Sequence, residues 1–202
     1  MVNRFTGVMV AGALAALLAV PALAALAPGA AAPDFTATAS QAGKDFTFSM
    51  QQALAKGPVV VYFYPAAYTG GCDLEAHTFA TDKAKFTKAG ATIIGVSADS
   101  VARLNKFSAD PKYCAGQFAV ASDPSGKIAT RYGLKMAPPQ QGVLDVLGKP
   151  VTHGFFPRTT FVVDRQGKIV ATLSSAADHL TPDEHVKRSL AIVQKLQANK
   201  AL

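Results

Sequence analysis

The stretch Val59-Val60-Val61-Tyr62-Phe63-Tyr64-Pro65-Ala66-Ala67-Tyr68-Thr69-Gly70-Gly71-Cys72 changes its pattern twice within one short run. Val59 to Tyr64 is apolar at every position, as a strand covered on both faces is. Pro65 offers no backbone N–H and fixes the turn out of the strand. From Gly71 the spacing becomes helical, with Cys72, Ala76, Phe79 and Phe86 on one stripe of an amphipathic helix. A buried strand running into a helix opens an α/β unit, and here it puts Cys72 in the helix's first turn. At that place unpaired N–H groups and the positive end of the helix dipole favour a thiolate over a thiol. A structural cysteine belongs among apolar neighbours in the middle of an element; the neighbours of Cys72 are Thr69, Gly70, Gly71 and Asp73.

Working outward, Ala91 to Val96 reads as a second buried strand, Ser100 to Phe107 as a helix and Phe118 to Val120 as a third strand that leads to the Ser122-Asp123-Pro124 cap and turn. Helical spacing resumes from Ser125 to Tyr132, and Phe46 to Met50 is a short strand upstream. Thr159 to Asp164 and Lys168 to Ser174 read as a hairpin joined through Asp164-Arg165-Gln166-Gly167. The last helix starts with Thr181 as cap and Pro182 at its first position, and Ala191 to Leu196 is expected to carry its apolar face. Strands alternating with helices and ending in a hairpin predict an α/β fold: a central mixed β-sheet flanked by helices on both faces. Residues 32–202 form this single domain, after a short linker over 25–31. Between Leu134 and Pro157 runs a long connection that holds His153, Phe155 and Phe156 near Arg158; for both phenylalanines ordinary packing is expected. His179 and His185 read as solvated positions.

Composition excludes several classes. Hydrophobic residues make up 50% of the 202 and charged residues 16%, which is neither a disordered nor a coiled-coil chain. Two cysteines cannot build a disulfide scaffold or a four-cysteine zinc module, and Cys72 with His77 lacks further ligands, so no metal or other cofactor is expected. The charge of +7 is carried by scattered lysines and arginines without a patch that tracks phosphates, so nucleic acid is not an expected partner. At the start, Arg4 precedes the apolar run Val8 to Val20, then Pro21 and Ala22-Leu23-Ala24: the order of a secretory signal peptide over 1–24. Cleavage after Ala24 is preferred, since a cut after Ala27 would leave Pro28 beside the scissile bond. Gly12 and Pro21 interrupt the run as a retained anchor, and no other segment is long and apolar enough to span a bilayer. The expected location is therefore exported, in a bacterial periplasm, with no stable membrane insertion. In such an oxidising compartment two surviving thiols need a reason.

Pro65, Thr69 and Cys72 form P-x-x-x-T-x-x-C, the pattern of the peroxiredoxins, and the chain resembles that family. The likeness continues through Ala32-Pro33-Asp34-Phe35, Tyr62-Phe63-Tyr64-Pro65, Gly95-Val96-Ser97-Ala98-Asp99-Ser100 and Arg158-Thr159-Thr160-Phe161-Val162-Val163-Asp164. It is strongest to the peroxiredoxin Q, or bacterioferritin comigratory protein, branch. The resemblance implies a thioredoxin-like fold and a thiol-dependent peroxidase. Cys72 would be the peroxidatic residue, sheltered by Pro65 and hydrogen-bonded by Thr69, and its disulfide would be reduced by a thioredoxin-like or other thiol donor.

Chemistry gives each residue a task of its own. An ordinary thiol is only a few per cent ionised at neutral pH, so Cys72 needs a cation; Arg158 is permanently charged and opens a strand expected beside Val59–Tyr64, and the alternative for it is a surface ion pair. Thr69 can instead cap the helix by bonding the N–H of Cys72. Glu75 either orients Arg158 or stands exposed as a first-turn acid. In part of the branch a resolving cysteine stands five residues after the peroxidatic one, where this chain has His77, so Cys114 is the internal candidate, against an inert thiol or resolution by an external one. An exported dithiol oxidoreductase would need C-x-x-C, and a copper-delivery module C-x-x-x-C, where Ala76 stands. Glutathione-peroxidase-like enzymes carry a tryptophan, of which this chain has 0. A monomer or weak dimer is expected.

Overall fold

The computed structural model describes residues 24–199, so the signal-peptide reading falls, apart from Ala24, outside the described residues. Seven strands form one sheet in the order β2-β1-β5-β4-β3-β6-β7: β1 (Thr36–Gln41), β2 (Lys44–Ser49), β3 (Val59–Phe63), β4 (Thr92–Ser97), β5 (Ala119–Ser122), β6 (Thr159–Val163) and β7 (Ile169–Ser174). The central β3, β4 and β5 are parallel, and β1 and β6 close on them antiparallel. All five residues of β3 are buried. Its alternate side chains feed two cores: Val60 and Tyr62 face one side of the sheet, Val59, Val61 and Phe63 the other.

The first core is covered by α2 (Gly70–Lys88), α3 (Val101–Ala109) and α6 (Pro182–Ala198), the second by α1 (Met50–Lys56) and α4 (Lys127–Arg131); α5 (Ser175–Asp178) is a single turn after β7. The expected α2 stripe is buried as Cys72, Ala76, Phe79 and Phe86. Phe79 stacks on Tyr62 with centroids 4.6 Å apart, and truncating such a buried ring to alanine costs about 3–5 kcal/mol. Gly95 lets Tyr62 lie flat on β4, since a Cβ there would stand 2.6 Å from the ring.

Several local expectations change. The strand expected over Phe46–Met50 ends at Ser49, whose hydroxyl accepts the N–H of Gln52 and starts α1, a helix the strand pattern hid. β1 went unread because its residues are small and polar and only Ala39 and Ser40 are buried. Thr181 and Pro182 open α6 as expected, but its buried face is His185, Val186, Ser189, Leu190 and Val193, starting earlier than Ala191. His185 is therefore a core residue, held between Thr160 Oγ1 at 2.9 Å and Ser175 Oγ at 3.0 Å. Residues 25–31, read as a linker, run along β7, with Gly29 N–H on the Ile169 carbonyl at 2.8 Å and Ile169 N–H on the Ala30 carbonyl at 2.9 Å. Phe156 packs on Phe63 in the second core, as ordinary packing requires.

Candidate active site

The sheet register assembles the site. Because β3 and β6 are antiparallel, with Phe63 opposite Thr159, the end of β3 meets the start of β6. The turn leaving β3 delivers Cys72, and the residue before β6 is Arg158. The sequence-predicted neighbours are thereby brought together: Arg158 Nη2 donates to Cys72 Sγ at 3.3 Å, and Nη1 pairs with Glu75 Oε2. Gly71 makes room for this approach, since a Cβ at that position would lie 3.1 Å from Nη2.

Glu75 is fully buried, which excludes the exposed first-turn acid and leaves the orienting contact to Arg158. Burial pushes its carboxyl up to about 7, against the pull of Arg158. The capping reading of Thr69 is also corrected. Thr69 is the N-cap of α2, but its side chain makes no cap bond; its hydroxyl donates to the Ala66 carbonyl at 2.7 Å. The N–H of Cys72 donates to the Thr69 carbonyl at 2.8 Å instead. With its proton on that carbonyl, the hydroxyl oxygen is left as an acceptor for a further donor. Pro65 is half-buried at the head of the turn.

Cys72 is 2% exposed. Burial pushes its thiol above the ordinary range, Arg158, the Ala66 N–H and the Thr69 hydroxyl draw it back, and Glu75 opposes them. The site thus holds two opposed effects, a desolvated sulfur and a cation able to stabilise its anion. Cys114 is 0% exposed and unbonded, in the segment after α3, and shares the first core with Cys72. Burial raises it well above its usual range, and Asp73 and Asp110 raise it further. His77 is exposed and lies 3.1 Å from the Lys112 carbonyl.

Three residues around the site escaped the sequence reading. Asp99 is fully buried and Arg103 is paired with it from α3, while Asp145 reaches Arg103 from the long connection. A signal existed only for Asp99, inside the Gly95–Ser100 block; nothing in the local pattern marks Arg103 or Asp145.

Comparison with known proteins gives the family. The sequence model of the AhpC/TSA family matches residues 28–172. The chain is 33% identical over 168 residues to chloroplastic peroxiredoxin Q of Oryza sativa subsp. japonica, covering 83% of this chain and 67% of that one. Among solved structures, peroxidoxin BcpB from Mycobacterium tuberculosis is 28% identical, with TM-score 0.68 over 84% of this chain and 97% of that one. The bacterioferritin comigratory protein of Xanthomonas campestris, studied for alkyl peroxide reduction, is 26% identical, with TM-score 0.62 over 81% and 92%. These likenesses carry the thioredoxin-like fold and do not favour the oxidoreductase or copper-delivery alternatives. A family match across most of the sequence, joined to a buried thiol paired with an arginine, settles the assignment: the chain belongs to the AhpC/TSA family, on its peroxiredoxin Q branch, and is a thiol-dependent peroxidase.

Proposed function

We propose that Cys72 cleaves hydrogen peroxide and organic hydroperoxides by displacement at the O–O bond. The Cys72 thiolate attacks one oxygen, the S–O bond forms as the O–O bond breaks, and the electron pair leaves on an alkoxide or hydroxide. That anion takes a proton and departs as alcohol or water, leaving a sulfenic acid. Arg158 and the amide groups of the turn stabilise the charge as it develops, with Glu75 orienting Arg158, Thr69 hydrogen-bonding the peroxide and Pro65 keeping water from the sulfur. The observation that carries this reading is the 3.3 Å contact between Arg158 Nη2 and Cys72 Sγ.

Cys114 then attacks the sulfenic sulfur, giving a Cys72–Cys114 disulfide and water. Both thiols start buried and unbonded, so this step requires the first turn of α2 to unwind until the Cα atoms come within about 7 Å. A thioredoxin-like donor supplies the two electrons that reopen the bridge. The protein acts after export, in the periplasm, as a monomer or weak dimer; the charged, apolar and small-residue order of 1–24 supports export, and among the described residues no helix is long and apolar enough to cross a membrane.

One equivalent of hydroperoxide added to the reduced protein, followed by intact mass with and without a thiol trap, tests the scheme. Loss of two hydrogens is expected; a gain of one oxygen with no later loss would remove Cys114 from the cycle. Peroxide consumption that persists in Cys72→Ser would overturn the whole reading.

A further inference from the structure

A second group of charges, which the chemistry above does not use, grips the active-site turn from behind. Asp99 Oδ2 accepts the Ala67 N–H at 2.8 Å, and Arg103 Nη2 donates to the Ala67 carbonyl at 2.7 Å, so both polar groups of one turn residue end on this pair. Asp99 is in turn held by the Ser97 hydroxyl at 2.8 Å, by an ion pair with Arg103 Nε at 2.8 Å and by His153 Nε2 at 2.9 Å. Arg103 also lies over the Tyr68 ring, 5.2 Å from its centroid, and pairs with Asp145 Oδ2 at 2.8 Å. Asp145 Oδ1 accepts the N–H groups of Leu147 and Lys149, each at 2.8 Å, building a tight turn whose Val146 N–H donates to the Tyr68 carbonyl at 2.8 Å.

Such a grip answers a specific strain. Tyr68 has φ 60°, in the left-handed region that a bulky side chain avoids and that persists only where its surroundings over-determine it. On either side of this strained residue stand the Ala66 N–H and the Thr69 hydroxyl, two of the groups that stabilise the Cys72 anion. If the turn relaxes, the Ala66–Thr69 contact at 2.7 Å and with it the placing of both groups beside Cys72 are lost, although neither Asp99 nor Arg103 bonds the sulfur.

We propose that Asp99 and Arg103 are positioning residues that hold the Ala66–Thr69 turn in the one conformation that supports the Cys72 thiolate. The inference rests on Cys72 being the reacting thiol. It is tested in the Cys114→Ser full-length chain by the pH profile of Cys72 alkylation with iodoacetamide, alongside thermal unfolding. Asp99→Asn and Arg103→Met change the local charge in opposite directions. Positioning predicts that both variants slow alkylation near pH 7, by about tenfold, with the apparent pKa moving up by about one unit. A field effect alone would slow Arg103→Met and quicken Asp99→Asn. A merely structural role would lower the melting temperature and leave both profiles within about twofold of the parent. Either of those results overturns the assignment. Should Arg103→Met fail to fold, Arg103→Lys keeps the charge but lacks the fork, and must fall between the parent and a tenfold loss; a parental profile overturns the proposal. Alkylation needs no peroxide, so an error in the peroxidase reading would show separately, as absent peroxide consumption by the parent chain.

Discussion

Cys72 and Cys114 share one apolar core and are almost equally hidden, at 2% and 0% exposure, yet their surroundings carry opposite charge. Burial raises both thiols; thereafter Arg158, an amide and a hydroxyl pull Cys72 down, while Asp73 and Asp110 push Cys114 further up. Depth of burial therefore does not decide which sulfur reacts. The sign of the surrounding charge separates them, because burial is the largest influence on both thiols and raises both, so the difference lies in the charges that add to it or oppose it. On the proposed scheme Cys72 attacks once its anion forms beside Arg158, and Cys114 becomes a nucleophile only after its segment opens to water.

The contrast breaks most completely in Cys72→Ser, which should consume peroxide no faster than buffer, whereas Cys114→Ser treated with one equivalent should gain one oxygen by intact mass. Next in size is Arg158→Met. It leaves Cys72 desolvated with no cation, so peroxide turnover should fall about 10²–10³-fold, with the alkylation pKa of Cys72 shifted upward. Gly71→Ala is a finer probe: its Cβ must push the guanidinium away by a few tenths of an ångström. Since a displacement of about 1 Å can cost 10²-fold, a loss of roughly several-fold in kcat/KM is expected, with little change in melting temperature.

From the other side, Asp110→Asn in a Cys72→Ser chain removes one acid that raises Cys114, and should speed its alkylation by about two- to fivefold at slightly alkaline pH. An unchanged rate would mean that the carboxylates do not restrain this thiol. The smallest effects concern two histidines that repeat the contrast. His185, buried between two hydroxyls, is lowered to about 4 by burial and then by Arg158. Its folded value lies below the unfolded one, so its contribution is present above about pH 6.5 and is lost as pH falls through about 4. Thermal unfolding should show a deficit on the order of 2 kcal/mol across that window, reduced in His185→Asn. His153 behaves oppositely. Burial alone would lower it, but the hydrogen bond and charge of Asp99 and the Gly154 carbonyl outweigh that and raise it. Both its ring nitrogens face acceptors, at 2.9 and 2.8 Å, an arrangement that only the imidazolium satisfies. Its contribution is full below about pH 6.5 and is lost as pH rises through the raised folded value, so His153→Gln should destabilise more in acid than in alkali.

Much of the fold was legible because its central strands are apolar on both faces and its helices carry regular stripes. Val59–Phe63, Thr92–Ser97 and Thr159–Val163 all lie where their patterns put them. Elements of weak pattern were not: β1 buries only Ala39 and Ser40, and α1 is a seven-residue helix starting on the last residue of a strand. At the site, Cys72 stood out by its place in the first turn of a helix, and Pro65, Thr69 and Arg158 by the resemblance to the peroxiredoxins. Glu75 stayed ambiguous between an exposed acid and an orienting one until its burial was known. His185 was misread because a polar residue early in a helix usually faces water, and nothing local announces the two hydroxyls that satisfy it.

The sequence by itself determined a reactive cysteine at a helix start, a strand before it and an arginine at the head of a later strand, since helix dipoles and hydrophobic periodicity act over a few neighbouring residues. Only the tertiary structure decided that Glu75 turns inward onto Arg158 and that Asp99 and Arg103 bond the two polar groups of Ala67 in the active-site turn. Those contacts join residues 32 to 83 positions apart. Their energies depend on distance and desolvation in the folded core, and neither quantity is written in local composition.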